Sequence, residues 1–145
     1  METRSLTKAD FDYVVSVIDR WWGGPSTALA HPMFFYELGG HAQVAVEQGE
    51  IVGFLLGFVT ASTPPLGYVH LVGIHPQWRR RGVARTMYER FEAECKAAGA
   101  TRMKAITTLG NEGSVAFHRA LGWDVEEVAD YAGSNRARIV FTKSI

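Results

Sequence analysis

The sequence predicts an α/β fold in which helices cover a mixed β-sheet. Three patterns lead to this prediction: an amphipathic helix near the start, a β-hairpin around Gln48-Gly49, and a strand–helix–strand order between about residues 68 and 107. Elements in this order bury their apolar faces against one another in layers. Of the 145 residues 47% are hydrophobic, enough for one packed core, so we expect a single domain over residues 1–145.

The first half of the chain opens with a helix signal. Thr7 and Asp10 have the spacing of a capping box, and apolar residues follow at helical spacing from Phe11 onward. Gly23-Gly24-Pro25 is a natural stop for this helix. The predicted elements of this half are a helix ending at about Trp21, a shorter helix over about 27–37, and strands over 41–47 and 50–60.

The second half alternates strands with helices. Val83, Met87, Phe91 and Cys95 recur every four positions, as on the buried face of a helix, and Gly99 is a natural helix end. The predicted elements are a strand over 68–74, a helix from near residue 81, a strand at about 102–107, a short helix ending at Gly122, and strands over 123–128 and 136–142.

Composition excludes several classes of protein. Lys and Arg number 15 and Asp and Glu number 15, so the formal charge is zero and a nucleic-acid partner is disfavoured. Because Cys95 is the only cysteine, an internal disulfide and a cysteine-rich zinc site are excluded, and we expect no metal. The longest apolar run, 51–59, is too short for a membrane helix. We therefore expect a cytoplasmic protein without a membrane partner.

A run of arginines at a predicted helix start is the most informative local feature. Arg79, Arg80 and Arg81 precede Gly82, although the partial positive charge of a helix N-terminus disfavours cations. A bound phosphate would resolve this conflict, because free backbone N–H groups and the helix dipole both favour an anion. A solvated charge run, or a weak nucleic-acid patch, stays open as the alternative.

Two segments together resemble the GNAT superfamily of N-acetyltransferases. The segment 79–84, Arg-Arg-Arg-Gly-Val-Ala, resembles the superfamily signature Arg/Gln-x-x-Gly-x-Gly/Ala, and the segment 111–123 is similar to its Asn, helix, aromatic, Leu-Gly-Phe pattern. The resemblance covers about residues 40–130. It implies the GNAT fold, acetyl-CoA as co-substrate and direct acetyl transfer to an amine.

The resemblance also implies which residues hold the cofactor. The backbone of Val72, Gly73 and Ile74 would pair with the pantetheine arm, and Asn111 would contact the same arm. Glycine within a strand independently suggests a bulge or a close backbone approach at Gly73. The pyrophosphate would lie against the turn formed by Arg80, Arg81, Gly82, Val83, Ala84 and Arg85.

The catalytic residues implied by the resemblance depart from the usual superfamily pattern. Relatives place a tyrosine proton donor where this chain has His118, which would lie near the thiol sulfur. Some use a glutamate base on the strand after the long helix, but residues 104–108 contain no carboxylate. His70 is the preferred base, since related arylalkylamine acetyltransferases carry a histidine there and it shares strand parity with Val72 and Ile74. A structural role for either histidine, or a relay through water to Glu37, Asp130 or Tyr131, stays open.

The acceptor is less defined by the sequence. By analogy with relatives, Phe34, Phe35, Asp130 and Tyr131 are candidates for the substrate site. The acceptor would be a small-molecule amine or a protein amine, and a homodimer is left open. A module that binds acyl-CoA without catalysis is the alternative, because the strand glutamate and the usual tyrosine are missing.

Overall fold

The computed structural model describes residues 1–24 and 26–145, and it has the predicted mixed α/β architecture. The strands are β1 (Glu2–Ser5), β2 (Gln43–Glu47), β3 (Glu50–Val59), β4 (Leu66–Ile74), β5 (Arg102–Thr107), β6 (Asp124–Val128) and β7 (Arg138–Ser144). The helices are α1 (Lys8–Trp22), α2 (Met33–Tyr36), α3 (Val83–Ala97) and α4 (Glu112–Ala120). The seven strands form one sheet in the order β1-β2-β3-β4-β5-β7-β6, in which β4 and β5 are parallel and the other neighbours antiparallel.

Helix α1 has the predicted start and stop. The Thr7 side chain accepts from the Asp10 backbone N–H at 3.2 Å, and the Asp10 carboxylate accepts from the Thr7 N–H at 2.8 Å, which completes the capping box. Gly23 adopts the left-handed conformation (φ 76°) that ends the helix. Pro25, also part of the predicted stop, lies outside the described residues.

The second predicted helix is wrong in length. Residues 27–37 contain a 3₁₀ turn at Thr27–Leu29 and the short helix α2, with a break between them. Pro32 explains the break, because it has no N–H to donate and its ring disfavours helical backbone at His31. Strand β1 was not predicted, since a four-residue strand offers too short an alternation to recognise.

Two apolar clusters lie on opposite faces of the sheet. One packs around α3 and includes Met87, Phe91 and Cys95, all fully buried; burial raises the pKa of the Cys95 thiol to about 12. The other packs around α1 and includes Trp21 and Phe54. We call these sides the α3 face and the α1 face. The helical stripe predicted from 83 to 95 is therefore confirmed as core.

A β-bulge in β4 changes which face His70 occupies. Leu56 pairs with Leu71 and Gly57 pairs with Val69, so His70 is the extra residue in the ladder. Its ring stacks on Phe34 on the α1 face, whereas Val72 and Ile74 pack on the α3 face. The predicted shared parity of these three residues is wrong, because one inserted residue shifts the alternation.

The sheet splits between β4 and β5. These strands pair only from Leu66 to Val69 on β4 and from Arg102 to Ala105 on β5, and beyond this point they diverge. In the described chain, the ladder leaves one edge of residues 70–74 without a strand partner. A gap therefore opens in the middle of the sheet.

Candidate active site

Two adjoining pockets occupy the gap between β4 and β5. The first, of about 740 Å³, lies between the loop after α1, the end of β5 and the start of β7; we call it the acceptor pocket. The second, of about 720 Å³, lies between the N-terminus of α3 and helix α4; we call it the cofactor pocket. The two share the lining residues Trp22, Val72, Arg79, Asn111 and Ser114, so they form one continuous cleft.

The cofactor pocket is formed around the start of α3. Gly82, the N-cap, has φ 79°, and Arg80 has φ 63°, so the backbone turns sharply into the helix. The Thr86 N–H donates to the Gly82 carbonyl at 3.0 Å, and no side chain caps the helix among the described residues. The N–H groups of residues 83–85 are therefore available to an anion, with the helix dipole reinforcing them.

The arginine side chains of this turn have separate positions. Arg79 donates to the Trp21 carbonyl, and the Arg81 guanidinium lies 4.8 Å from the centre of the Trp78 ring. Arg85 pairs with Glu89 at 3.0 Å on the helix surface. Arg80, Gly82, Val83, Ala84 and Arg85 line the pocket, whereas Arg81 does not. The backbone forms the cradle, and the arginines add positive charge around it.

Strand β4 and Asn111 define the middle of the cleft. Val72 lines both pockets and Ile74 lines the cofactor pocket, whereas Gly73 lines neither. The ladder contains no bulge at Gly73. The Phe54 ring occupies the space that a Cβ at this position would fill, so the predicted close approach is made by a side chain and not by backbone. Asn111 caps α4 by accepting from the Ser114 N–H at 3.2 Å, and it donates to the Thr107 hydroxyl at 2.9 Å. It thereby ties the end of β5 to α4.

His118 is buried and hydrogen-bonded through both ring nitrogens. Nδ1 is 2.8 Å from the Ser114 carbonyl oxygen, which can only accept, so Nδ1 carries the proton. Nε2 accepts a hydrogen bond from the Tyr88 hydroxyl at 2.9 Å. The ring stacks on Phe141 with 3.9 Å between centroids. Burial lowers the pKa of His118 and raises that of Tyr88, so both side chains are neutral here.

His70 lines the acceptor pocket from the β4 side. Its Nε2 is 2.7 Å from the Leu29 carbonyl oxygen, so Nε2 carries the proton and Nδ1 is left as an acceptor. Its ring lies 3.8 Å from that of Phe34 and nearly parallel to it. Burial lowers the pKa of His70, and the hydrogen bond to Leu29 opposes this effect. The neutral form is thus favoured at neutral pH.

The four acceptor candidates from the sequence do not line the acceptor pocket. Phe34 supports His70 from behind, and Phe35 stacks on Phe11 at 5.2 Å. Asp130 closes the β6–β7 turn by accepting from the Asn135 N–H at 2.6 Å. The Tyr131 ring lies 4.9 Å from the Lys104 ammonium at the outer surface. None of the four is among the lining residues of either pocket.

Among the residues that line the acceptor pocket but were not predicted site residues are Trp22, Leu29, Tyr68, Tyr88 and Arg138. One signal was available, because Trp21 and Trp22 end α1 together and only one can face the core. Trp21 is 2% exposed and Trp22 is 38% exposed, as this argument expects. Tyr88, a polar-tipped aromatic beside the buried stripe of α3, gave a weaker signal. Nothing in the sequence identifies Arg138.

Comparison with known proteins identifies the family of the chain. The family model described as Acetyltransferase (GNAT) family matches residues 9–123, which is more than half of the chain. The chain belongs to this family. As a GNAT protein it is an acyltransferase, and the match confirms the resemblance seen in segments 79–84 and 111–123.

Individual relatives of this GNAT chain are distant in sequence and close in fold. An acetyltransferase from Sodalis glossinidius is 24% identical over 137 residues, covering 88% of this chain and 89% of the relative. Naa20 from Chaetomium thermophilum, solved with a bisubstrate analogue, superposes with a TM-score of 0.81 at 20% identity, covering 100% of this chain and 87% of that one. An aminoglycoside 6'-N-acetyltransferase complexed with coenzyme A gives a TM-score of 0.80 at 17% identity, covering 99% and 97%. These structures confirm the fold.

Two features are absent from the described residues. In residues 1–24 and 26–145, no helix is long and apolar enough to cross a membrane. The same residues hold no group of three or more His, Cys, Asp and Glu side chains arranged to hold a metal ion.

Proposed function

We propose that this GNAT protein transfers the acetyl group of acetyl-CoA to a primary amine, by direct attack while both substrates are bound. The observation that supports this most directly is the continuous cleft through the sheet. One end offers a helix N-terminus suited to a phosphate group, and the other end offers a neutral histidine. A cofactor and an acceptor entering from the two ends would meet at the split between β4 and β5.

The residues present fit acetyl-CoA, which would supply an activated thioester when bound. The N–H groups of residues 83–85, with Arg80 and Arg85 beside them, would hold the pyrophosphate. The free edge of β4 at Val72 and Ile74 would pair with the amide groups of the pantetheine arm. Asn111 has its side chain committed to Thr107 and Ser114, so its role would be to position α4 along that arm.

His70 is the proposed general base. Its Nε2–H donates to Leu29, which fixes the ring and leaves Nδ1 to accept a proton from the incoming ammonium group. The lowered pKa keeps Nδ1 unprotonated at neutral pH, as a base requires. Phe34 fixes the plane of the ring by stacking. Nδ1 would accept the proton from the ammonium group either directly or through one bridging water, and both routes serve the reaction.

The proposed proton donor to the leaving thiolate is the hydrogen-bonded pair of Tyr88 and His118. Both side chains line the acceptor pocket beside Ser114, close to where the two pockets join. His118 has no nitrogen free to act alone, since Nδ1 is held by Ser114 and Nε2 by Tyr88. The hydrogen bond to Nε2 would position the Tyr88 hydroxyl before the reaction. The hydroxyl hydrogen would then turn from Nε2 to the sulfur, and it would return to Nε2 when CoA leaves.

The acceptor is proposed to be a small-molecule amine or an amine of a protein. The solved relatives include both kinds, since an aminoglycoside acetyltransferase and the ribosomal-protein-S18-alanine acetyltransferase of Escherichia coli share the fold, the latter with a TM-score of 0.78. Trp22, Leu29 and Tyr68 would form the wall that contacts the acceptor body. Tyr131, at the outer surface, would contact only an acceptor that extends beyond the pocket.

A cytoplasmic location is proposed because the single thiol, Cys95, forms no disulfide.

The experiment that tests this function measures amine-dependent release of free CoA from acetyl-CoA over a panel of primary amines, with mass spectrometry of the product. We expect an N-acetylated amine in equal amount to the CoA released. Initial rates should give intersecting double-reciprocal lines, because both substrates are bound together. Tight CoA binding without turnover on any amine would instead favour a sensor of acyl-CoA, and failure to bind CoA would overturn both.

A further inference from the structure

The acceptor pocket has an unusual charge balance for a site that binds amines. No Asp or Glu is among its described lining residues, whereas Arg79 and Arg138 both line it. Arg79 also lines the cofactor pocket, so its positive charge belongs to the proposed cofactor site. Its side chain donates to the Trp21 carbonyl. Arg138 lines only the acceptor pocket. The proposed acetyl transfer assigns no role to a positive charge at that end of the cleft.

The register of β7 places Arg138 across the split from His70. Ile139 and Phe141 pack on the α3 face, so Arg138, which alternates with them, lies on the α1 face. His70 stacks on Phe34 on that same face, at the other wall of the split. An acceptor with its amine at His70 would therefore extend toward Arg138.

Arg138 is only half-buried, yet it has no carboxylate partner. Its one hydrogen bond runs from Nη1 to the adjacent Ala137 carbonyl at 2.8 Å, and no Asp or Glu oxygen of the described residues lies within 4.0 Å. Glu126 lies on the same face of the neighbouring strand β6, but it does not line the pocket. Most of the guanidinium donors therefore remain available to a ligand.

We propose that the acceptor is an amine that also carries a carboxylate, with the carboxylate bound by Arg138 while the amine faces His70. A guanidinium group binds a carboxylate through two parallel hydrogen bonds, and such charge-assisted hydrogen bonds are stronger than those between neutral groups. A polycationic amine would instead meet two arginines and no compensating acid. This inference rests on the proposed function. The carboxylate could belong to a free amino acid or to an acidic side chain near a peptide N-terminus.

The test compares acceptors that differ only in the carboxylate. Phenylalanine is paired with phenylalaninamide, and the dipeptide amide Ala-Glu-NH₂ with Ala-Gln-NH₂, which distinguishes the two sources. The measured quantity is the ratio of kcat/KM for the acid over its amide, in the wild type and in Arg138→Gln. Comparing the two proteins cancels the different basicity of the amines. We expect the ratio to fall on the order of tenfold or more for one of the pairs.

Controls separate a local effect from loss of charge or fold. Arg102→Gln removes one positive charge at the far end of the sheet and should leave the ratio unchanged. Arg138→Lys, which keeps the charge without the paired donors, should give an intermediate ratio. An unchanged ratio in Arg138→Gln for both pairs, or spermidine as the best acceptor, would overturn the inference.

Binding of the same compounds is measured by calorimetry at saturating CoA, so that the result does not depend on turnover. Carboxylate-dependent binding that is lost in Arg138→Gln supports the inference even where no amine is acetylated, an outcome that would overturn the proposed function alone. Equal binding of acid and amide would overturn the inference even in an active enzyme.

Discussion

The two pockets of the cleft are built in different ways. The cofactor pocket takes its central feature from consecutive residues, 79–85, and presents mainly backbone N–H groups. The acceptor pocket is assembled from side chains far apart in the chain, among them Trp22, Leu29, His70 and Arg138. The first depends on the conformation of one turn, and the second depends on the whole sheet to bring its residues together.

This difference in construction predicts which substitutions should damage each pocket. A backbone cradle tolerates most side-chain changes and is damaged by changes in φ and ψ or by an added Cβ. A pocket made of side chains responds to truncation of the individual groups. Substitutions in one pocket should therefore leave the function of the other pocket largely intact, and the following predictions test that separation.

The largest expected effect is on turnover in His70→Ala. Loss of a general base lowers kcat by about 10²- to 10⁴-fold, while CoA affinity should stay within about twofold, well below the tenfold that 1.4 kcal/mol represents. In the wild type, kcat/KM should fall as the pH drops below the ordinary histidine value of 6.5, because burial lowers the pKa of His70. The variant should lose this acidic limb. Rates over pH and calorimetry with CoA measure both effects.

His41→Ala is the matched control for this variant. His41 contacts Glu94 at 3.3 Å on the surface beside α3 and lines neither pocket. It should keep the wild-type rate and pH profile. Full turnover in His70→Ala with an unaltered pH profile would show that His70 is not the base.

A smaller effect, on cofactor affinity, is expected in Gly82→Ala. The residue has φ 79°, so a side chain costs about 1–2 kcal/mol of folding free energy, and the new Cβ would stand at the proposed pyrophosphate site. We expect the Kd for CoA to rise about tenfold or more, equivalent to about 1.4 kcal/mol. Calorimetry measures the affinity, and thermal unfolding measures the stability.

Gly122→Ala provides the matching control, because Gly122 has φ 83°, has nothing within 4 Å of its Cβ position and lies outside both pockets. It should lose similar stability and keep CoA affinity. Equal loss of CoA affinity in both variants would mean that backbone strain, and not the cradle, explains the result.

The same difference explains what could be predicted from the sequence. A cradle made of neighbouring residues leaves a local pattern, so Arg80, Gly82 and Ala84 were identified with the pocket they line. The bounds of β5 and α1 were also predictable, because period and caps are local signals.

The acceptor pocket was not predictable in this way, since its geometry depends on strand register. Strand alternation alone predicted His70 on the same face of the sheet as Val72. The β-bulge places it on the opposite face. Arg138 lines the pocket only because β7 inserts between β5 and β6. Phe34 was near the right region, but adjacency in the chain could not show that it stacks on His70 instead of lining the pocket.

A moderate effect is expected in Tyr88→Phe, at the join between the pockets. Removal of the hydroxyl should lower kcat by about 10²-fold, the lower end of the range for a positioned proton donor, without raising KM. It also leaves Nε2 of buried His118 without its partner, which costs about 1–3 kcal/mol of stability. Tyr36→Phe, which alters a residue 59% exposed, should change neither quantity. Unchanged kcat with reduced stability would assign the Tyr88–His118 pair a structural role only.

The smallest expected effect is a dependence of stability on pH that comes from two histidines of the acceptor pocket, His70 and His118. His70 and His118 are both held neutral by burial, so their pKa values in the folded protein lie below the ordinary 6.5. Below pH 6.5 the unfolded chain binds more protons than the folded one, so the free energy of unfolding should fall as the pH drops from 6.5 toward 5. The slope is at most about 1.4 kcal/mol per pH unit for each histidine. The carboxylates with lowered pKa, such as Asp10, titrate below this window.

Urea unfolding across the window measures the slope, and His118→Gln should reduce it. His70→Ala should reduce the slope as well, and an unchanged slope in both variants would contradict the burial argument.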